Sequence, residues 1–219
     1  TLYRAGRCNE ALQVFQHKLT DNSDNIKFRV EFGDFLQSVG QFEESIRVYQ
    51  KALSIDTNTC EAHNNLGVAL SKVGRFEQSI QAFQNAIQIN PDYFEAYNNL
   101  GSVYKETKQL IQAIESYQEA IRINPEVEEI HFNMGNAFKE LGKHEEAIRA
   151  YKEVLRLNLN HVEAYYNQGV VLQDQGDFSQ AIESYQEAIR INPDYAQAYN
   201  NYGFILHKQG KFDEAIKQY

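Results

Sequence analysis

Four things are scarce in this 219-residue chain, and each scarcity narrows its reading. Basic residues come first: 21 Lys and Arg stand against 30 Asp and Glu, a formal charge of −9. A nucleic-acid or anionic-membrane partner would need clustered Lys and Arg, so no nucleic acid is expected and a neutral-to-basic partner suits the charge better. Cysteine comes next, with only Cys8 and Cys60, which form no CxxC or Cys/His spacing. They supply neither a disulfide framework nor a zinc pattern, and small packing residues in a reducing, intracellular compartment such as the cytoplasm are expected instead. No apolar run approaches the roughly 20 residues that span a bilayer, so no membrane insertion is expected. Proline is the fourth, with three residues and no low-complexity linker. The chain also opens without an initiator Met or a signal peptide, and is therefore expected to be a segment of a longer protein.

Catalytic motifs are missing too. His144-Glu145-Glu146 lacks the second histidine of a zincin and reads as ordinary surface charge. There is no GxSxG, no glycine loop to cradle a phosphate and no nucleophile–base pairing. Neither catalysis within these residues nor a cofactor or metal is expected.

What the chain has is repetition. Gln112–Pro125 reads QAIESYQEAIRINP, and Gln180–Pro193 reads the same fourteen letters 68 positions later, with a weaker relative between them at Glu146–Leu159. Half of 68 is 34, and a fixed period of that size points to a repeat architecture. In the unit starting at Phe94, Tyr97, Leu100, Gly101 and Tyr104 follow the i, i+3, i+4, i+7 spacing of one helix face. After a break at Lys108–Leu110 the spacing resumes at Ala113, Ile114, Tyr117, Ala120 and Ile121, and Asn124–Pro125 stops it. Each unit is thus helix, turn, helix, turn.

The columns agree across units. The first helix carries Gly33, Gly67, Gly101, Gly135, Gly169 and Gly203. A mid-helix glycine costs about 1 kcal/mol against alanine, so close helix approach is the expected reason. The second helix has Ala11, Ser45, Ser79, Ala113, Ala147, Ala181 and Ala215, followed four residues later by Phe15, Tyr49, Phe83, Tyr117, Tyr151, Tyr185 and Tyr219. Small against large at a fixed offset predicts knob-and-hole packing. The turn within the unit holds Gly6, Gly40, Gly74, Gly142, Gly176 and Gly210, with Lys108 the exception. These glycines suit a left-handed C-cap. The turn between units holds Pro91, Pro125 and Pro193, but Ser23, Thr57 and Leu159 elsewhere, where less rigid junctions are expected.

This pattern resembles the tetratricopeptide repeat family over the whole chain. The family's tryptophan column is taken by His63, Tyr97, His131, Tyr165 and Tyr199, with Arg29 in the second unit; Arg29 and Lys18 make the first junction the weakest match. The resemblance implies an all-α, right-handed superhelical solenoid of antiparallel helix pairs, its first helices lining a concave groove. One continuous array over 1–219 is expected: a partial repeat at 1–25, full repeats at 26–59, 60–93, 94–127, 128–161 and 162–195, and a partial repeat at 196–219. Solenoid ends need polar capping units; none is seen at Thr1 or Tyr219, so the array is expected to continue or its ends to be poorly ordered.

Function is sought on the first helices. Asn65, Asn99, Asn133, Asn167 and Asn201 form a column that would stack as a ladder, similar to the one in the tetratricopeptide region of O-linked N-acetylglucosamine transferase. An amide offers two donors and one acceptor to the main chain of an extended peptide; a structural or solvated role is the alternative. Beside it, Phe132, Tyr166, Val170 and Phe204 form an apolar, aromatic lining of the kind that marks contact surfaces, or that packs against the next repeat. Glu61, Glu95, Glu129 and Glu163 start the first helices, where the helix dipole favours them whatever the function. The carboxylate clamp of heat-shock co-chaperones is not expected, since asparagine and glutamate stand where its basic residues would be. His63 and His131 are read as packing residues. The expectation is a protein-interaction scaffold that binds an extended peptide or a partner helix. The alternatives are the substrate-recruiting arm of a larger enzyme such as a glycosyltransferase, and a structural subunit of a large ciliary or transport assembly.

Overall fold

A computed structural model describes Phe15 and residues 25–218. Gly6, Cys8, Ala11, Lys18, Ser23 and Tyr219, named above, lie outside the described residues, as does most of the expected partial repeat at 1–25. Two units are distinguished, Thr1–Thr107 and Lys108–Tyr219. The first contains α1 (Ile26–Ser38), α2 (Phe42–Ile55), α3 (Cys60–Lys72), α4 (Phe76–Ile89) and α5 (Phe94–Glu106). The second contains α6 (Leu110–Ile123), α7 (Glu128–Glu140), α8 (His144–Leu157), α9 (Val162–Asp174), α10 (Phe178–Ile191), α11 (Ala196–Lys208) and the short α12 (Phe212–Ile216). All elements among the described residues are helical. None is long and apolar enough to cross a membrane.

Every complete odd-numbered helix has 13 residues and every complete even-numbered one 14, so the period is built from identical parts. Two local devices fix the ends. After α1, the Gly40 N–H bonds the Gln37 carbonyl and the Gln41 N–H reaches back to Leu36, a Schellman pair that uses orphan carbonyls. Gly40 has a φ of 77°, as this cap requires, and the same pairing closes α3, α7, α9 and α11. Lys108, at the corresponding position after α5, adopts a φ of 62° without being glycine. Between repeats an Asx turn recurs: Asn90 Oδ1 accepts from the Asp92 N–H, and Asn192 Oδ1 from the Asp194 N–H. Asp56 and Asn158 form it as well, at 2.9 and 3.0 Å, so the junctions with Thr57 and Leu159 in place of proline keep the turn.

Packing rests on the glycine column. A Cβ built on Gly33 would sit 2.4 Å from Tyr49 Cε1; on Gly67, 2.7 Å from Phe83 Cε1; on Gly135, 2.7 Å from Tyr151 Cε1; and on Gly169, 2.6 Å from Tyr185 Cε1. In these four hairpins the aromatic ring of the second helix therefore lies against the first helix, where only hydrogen leaves room. Tyr49, Tyr151 and Tyr185 are fully buried, as are Ala147 and Ala181 in the small column. In the first unit α1 also touches α3 and α3 touches α5; in the second, α7 touches α9. First helices thus stack on first helices, and residues one repeat apart come within reach of each other.

Candidate functional site

The ring that crosses the glycine delivers its hydroxyl to the far side of the first helix. Tyr49 Oη donates to Asp34 Oδ1 at 2.6 Å, and Asp34 directly follows Gly33. Tyr151 Oη donates to Asn136 Oδ1 at 2.8 Å, and Asn136 directly follows Gly135. Burial, and for Tyr49 the bond to the Asp34 carboxylate as well, pushes these hydroxyls far above the usual phenol range, so they remain donors.

The asparagine column completes the arrangement. Asn65 Nδ2 donates to the same Asp34 Oδ1 at 2.8 Å, and Asn167 Nδ2 to the same Asn136 Oδ1 at 3.1 Å. One oxygen therefore ties a first helix, its own second helix and the first helix of the next repeat. Gln37 reinforces the first knot by donating to Tyr49 Oη at 3.1 Å and to the Asn65 carbonyl at 2.7 Å. In the second knot Lys139 Nζ donates to Asn167 Oδ1 at 2.9 Å. Asn99 donates to Asn64 Oδ1 at 3.0 Å, also across one repeat. Asn201 donates to Tyr166 Oη and Tyr185 Oη at 3.4 and 3.3 Å, while Tyr185 Oη gives its own proton to Gln173. Asn133 occupies the same position on α7. All five asparagines are half-buried.

Sequence reading located this column but missed its tethers. Asn65, Asn99, Asn167 and Asn201 each spend at least one N–H on the preceding repeat. An amide has two N–H groups, so Asn65, Asn99 and Asn167 each keep one. The missed residues are Asp34, Gln37, Lys139 and the three hydroxyls. A partial signal was present in the letters: Tyr49 and Tyr151 pair with polar Asp34 and Asn136, and Phe83, which has no hydroxyl, with Val68. Tyr185, however, stands opposite Val170 and turns to Gln173.

The aromatic residues divide. Phe132 is half-buried, 4.7 Å from the His161 ring and 6.0 Å from Tyr151 between centroids. Tyr166 repeats this one unit later, 5.4 Å from Tyr195 and 6.0 Å from Tyr185. Each therefore packs within the repeat framework while showing an edge. Phe204 is open, 41% exposed, with Lys208 Nζ 4.8 Å from its centroid. The glutamate column is solvent-exposed throughout.

The two histidines are packing residues, as read. His63 Nε2 meets the Thr57 carbonyl at 3.0 Å and His131 Nε2 the Pro125 carbonyl at 2.8 Å. A carbonyl can only accept, so Nε2 carries the proton in both. Cys60 is a free, half-buried thiol. Among the described residues no cluster of three His, Cys, Asp or Glu side chains could hold a metal ion.

Comparison with solved structures returns tetratricopeptide proteins. YrrB, described as "a TPR protein with an unusual peptide-binding site", is 24% identical, with a TM-score of 0.71 over 84% of this chain and 95% of its own. MamA is 25% identical, with a TM-score of 0.71 over 75% of this chain and 96% of its own. The pilF protein of Pseudomonas aeruginosa is 19% identical, with a TM-score of 0.77 over 90% of each chain. Comparison with curated protein sequences finds no match. The TPR repeat profile matches residues 33–74, 70–108, 101–142, 135–176 and 171–210. Those windows together run from residue 33 to residue 210, well over half of the sequence, and the chain belongs to the tetratricopeptide repeat family.

Proposed function

We propose that this protein-interaction scaffold binds an extended, neutral-to-basic polypeptide segment along its first-helix faces, with the asparagine column as the main-chain reader. The observation that carries the reading is the half-used state of the amides. Asn65, Asn99 and Asn167 are each fixed by a bond to the preceding repeat and keep a second N–H, and among the described residues no hydrogen bond takes up Asn99 Oδ1. A side chain already held in one rotamer loses little entropy on binding. Main-chain pairing reads backbone rather than side chains, so several partner sequences would fit. Phe132, Tyr166 and Phe204 in the second unit would anchor apolar side chains. The charge preference follows from the formal charge of −9 and from the exposed Glu61, Glu95, Glu129 and Glu163. YrrB, of the same fold, has a peptide-binding site by its own description. The repeats are proposed to run as one unbroken array with the boundaries given above, and nothing favours the enzyme-arm or assembly-subunit alternatives.

The test is a library of fluorescent ten-residue peptides of graded charge, titrated with the protein. Neutral and basic peptides should bind and acidic ones should not. Replacing Asn99, Asn133 and Asn167 together by Ala should weaken binding at least 10-fold, about 1.4 kcal/mol. Changing the exposed Glu115 and Glu183 on the second helices should leave it unchanged. Equal affinity in the triple variant, with the helical circular dichroism intact, would mean that the amides serve only the repeat junctions.

A further inference from the structure

On the side of α7 opposite the asparagines lies a cavity of about 300 Å³. Helical spacing separates the two faces: His131, Met134 and Phe138 follow i, i+3, i+7 along one stripe, while Phe132, Asn133 and Asn136 lie on the other. The walls are apolar, with Ile121 from α6, Met134 and Phe138 from α7, and Ala150 from α8; Glu146, Arg149 and Glu153 form a rim of both charge signs.

The sequence explains why there is space. One repeat later the position of His131 is held by Tyr165, which packs on the cluster containing Leu155. Leu155 is the counterpart of Ile121, 34 residues on. Beside Tyr165, Leu155 is covered; beside His131, Ile121 is left as cavity wall. The position of Ala150 is likewise Ser184 one repeat later. The same substitution pair recurs 68 residues earlier as His63 and Ala82, and there too a cavity of about 240 Å³ forms, with Leu66 and Leu70 as walls and the uncharged Gln78, Gln81 and Asn85 at the rim. Two separate occurrences, with eight of the nine lining positions matched and only the Ile121 position (Leu53) absent from the second, make the cavity a property of the His/Ala repeat rather than an accident of one side chain.

His131 is nine-tenths buried and donates from Nε2 to the Pro125 carbonyl, which leaves Nδ1 as the ring's hydrogen-bond acceptor. The site thus offers apolar walls with one acceptor among them, His131 Nδ1, inside a rim of Gln118, Glu146, Arg149 and Glu153. We infer that the cavity at His131 receives an aromatic side chain carrying one hydrogen-bond donor, Trp or Tyr, from a partner polypeptide. It covers the apolar wall beside His131, as Tyr165 covers Leu155 in the neighbouring repeat. This binding point is separate from the asparagine face and does not depend on it.

Met134 is the sole methionine of the sequence, so a sample with ¹³C-methyl methionine gives one resonance from a cavity wall. Titration with N-acetyl-tryptophanamide should move that resonance in a saturable way, with a dissociation constant on the order of 1 mM, as one ring can supply. An intermolecular NOE should connect the indole protons to the Met134 methyl. N-acetyl-leucinamide should bind at least fivefold more weakly. Ala150→Leu, which fills the wall, should weaken binding at least tenfold, and His131→Phe should abolish the preference for indole over 1-methylindole. The Asn99, Asn133 and Asn167 triple variant should bind N-acetyl-tryptophanamide as the parent does, which keeps this test apart from that of the peptide face. A non-saturating shift, or the absence of the NOE at high ligand concentration, would overturn the assignment without recourse to any variant. Unchanged affinity in a folded Ala150→Leu protein would overturn it as well.

Discussion

The two units share one skeleton and finish it with different chemistry. In both, an aromatic ring crosses a first-helix glycine, and an asparagine from the next repeat reaches back. In the first unit the shared acceptor is a carboxylate, Asp34, reinforced by Gln37; the following hairpin abandons the knot, with Phe83 facing Gly67 and Val68 standing where the acceptor would be. In the second unit the acceptor is the neutral Asn136, the cation Lys139 holds the next asparagine, and the last described knot runs through Tyr185, Gln173 and Asn201. Apolar surface follows the same division, since Phe132, Tyr166 and Phe204 all belong to the second unit. The lesson is that the ring-on-glycine contact sets the fold, while the residue after the glycine is free to vary and sets the local polarity. Experiments can break that claim at each level.

The skeleton should be the most sensitive. Gly33→Val places a branched side chain where a Cβ alone would lie 2.4 Å from a buried ring carbon. Overpacking typically costs 1–3 kcal/mol, and about 3 is expected here because the obstacle is a ring and not a flexible tip. Gly135→Val, with 2.7 Å to Tyr151, should cost somewhat less. Urea titration of both variants ranks them; a midpoint unchanged from the parent in either would remove the glycine column from the account.

The knots come next. Tyr49→Phe leaves a carboxylate without one of its donors, and bonds to charged groups contribute about 1.5–3 kcal/mol; the low end is expected because Asp34 is exposed. Tyr151→Phe breaks a neutral bond and should cost about 1 kcal/mol. The pH dependence has a definite sign. A phenol whose folded pKa lies above the unfolded value of 10.0 contributes stability that is complete below that value and is lost as pH rises past it. Stability should therefore fall above about pH 10, with a slope approaching 1.4 kcal/mol per pH unit for each buried tyrosine. Each Tyr→Phe change should make the decline shallower, and a decline equally steep in the triple Phe variant would assign it to other groups.

A subtler test transplants a knot. Phe83→Tyr brings a hydroxyl to the side of α3 where Val68 offers no acceptor, which should cost about 1 kcal/mol or more for the stranded group. Adding Val68→Asn should recover most of that loss, because Asn99 of the next repeat is already in reach of this region through Asn64. A double-mutant cycle with no coupling between the two changes would show that the pairing seen at Asp34–Tyr49 and Asn136–Tyr151 is coincidental.

Much of the fold was legible because each column states a one-residue requirement. A glycine facing a ring, a glycine at a left-handed cap and an Asn-Pro stop each admit few alternatives. The candidate site was legible only as a location. The side chains of Asn65 and Asn167 pair with residues 31 positions away, and such pairing depends on rotamers and on how repeats stack, which letters do not display. Whether Phe132 and Tyr166 were open or packed stayed undecided because their partners, His161 and Tyr195, stand at the caps of the following first helices and belong to no apolar pattern. The cavity at His131 went unread for a related reason: a space is defined by what a neighbour fails to cover.

The smallest expected effect lies at Lys108, the one non-glycine cap at the start of the second unit. Its φ of 62° costs a residue bearing a Cβ about 1 kcal/mol. Lys108→Gly relieves that cost, but glycine loosens the unfolded chain by about 0.4–1 kcal/mol. The change also removes the 2.9 Å ion pair to Glu140, whose side chains are 76% and 36% exposed. Exposed pairs contribute about 0.2–1 kcal/mol. The terms nearly cancel, so Lys108→Gly alone should shift stability by no more than about 0.5 kcal/mol in either direction. In a Glu140→Gln background the ion pair is already gone, and the same substitution should come out more favourable by the value of the pair. Comparing urea midpoints of the four proteins separates backbone strain from charge. A Lys108→Gly effect that is identical in both backgrounds would mean that the ion pair contributes nothing. A loss of more than 1 kcal/mol in the Glu140→Gln background would mean that lysine holds the left-handed turn without strain, and that this cap differs from its glycine counterparts in sequence but not in energy.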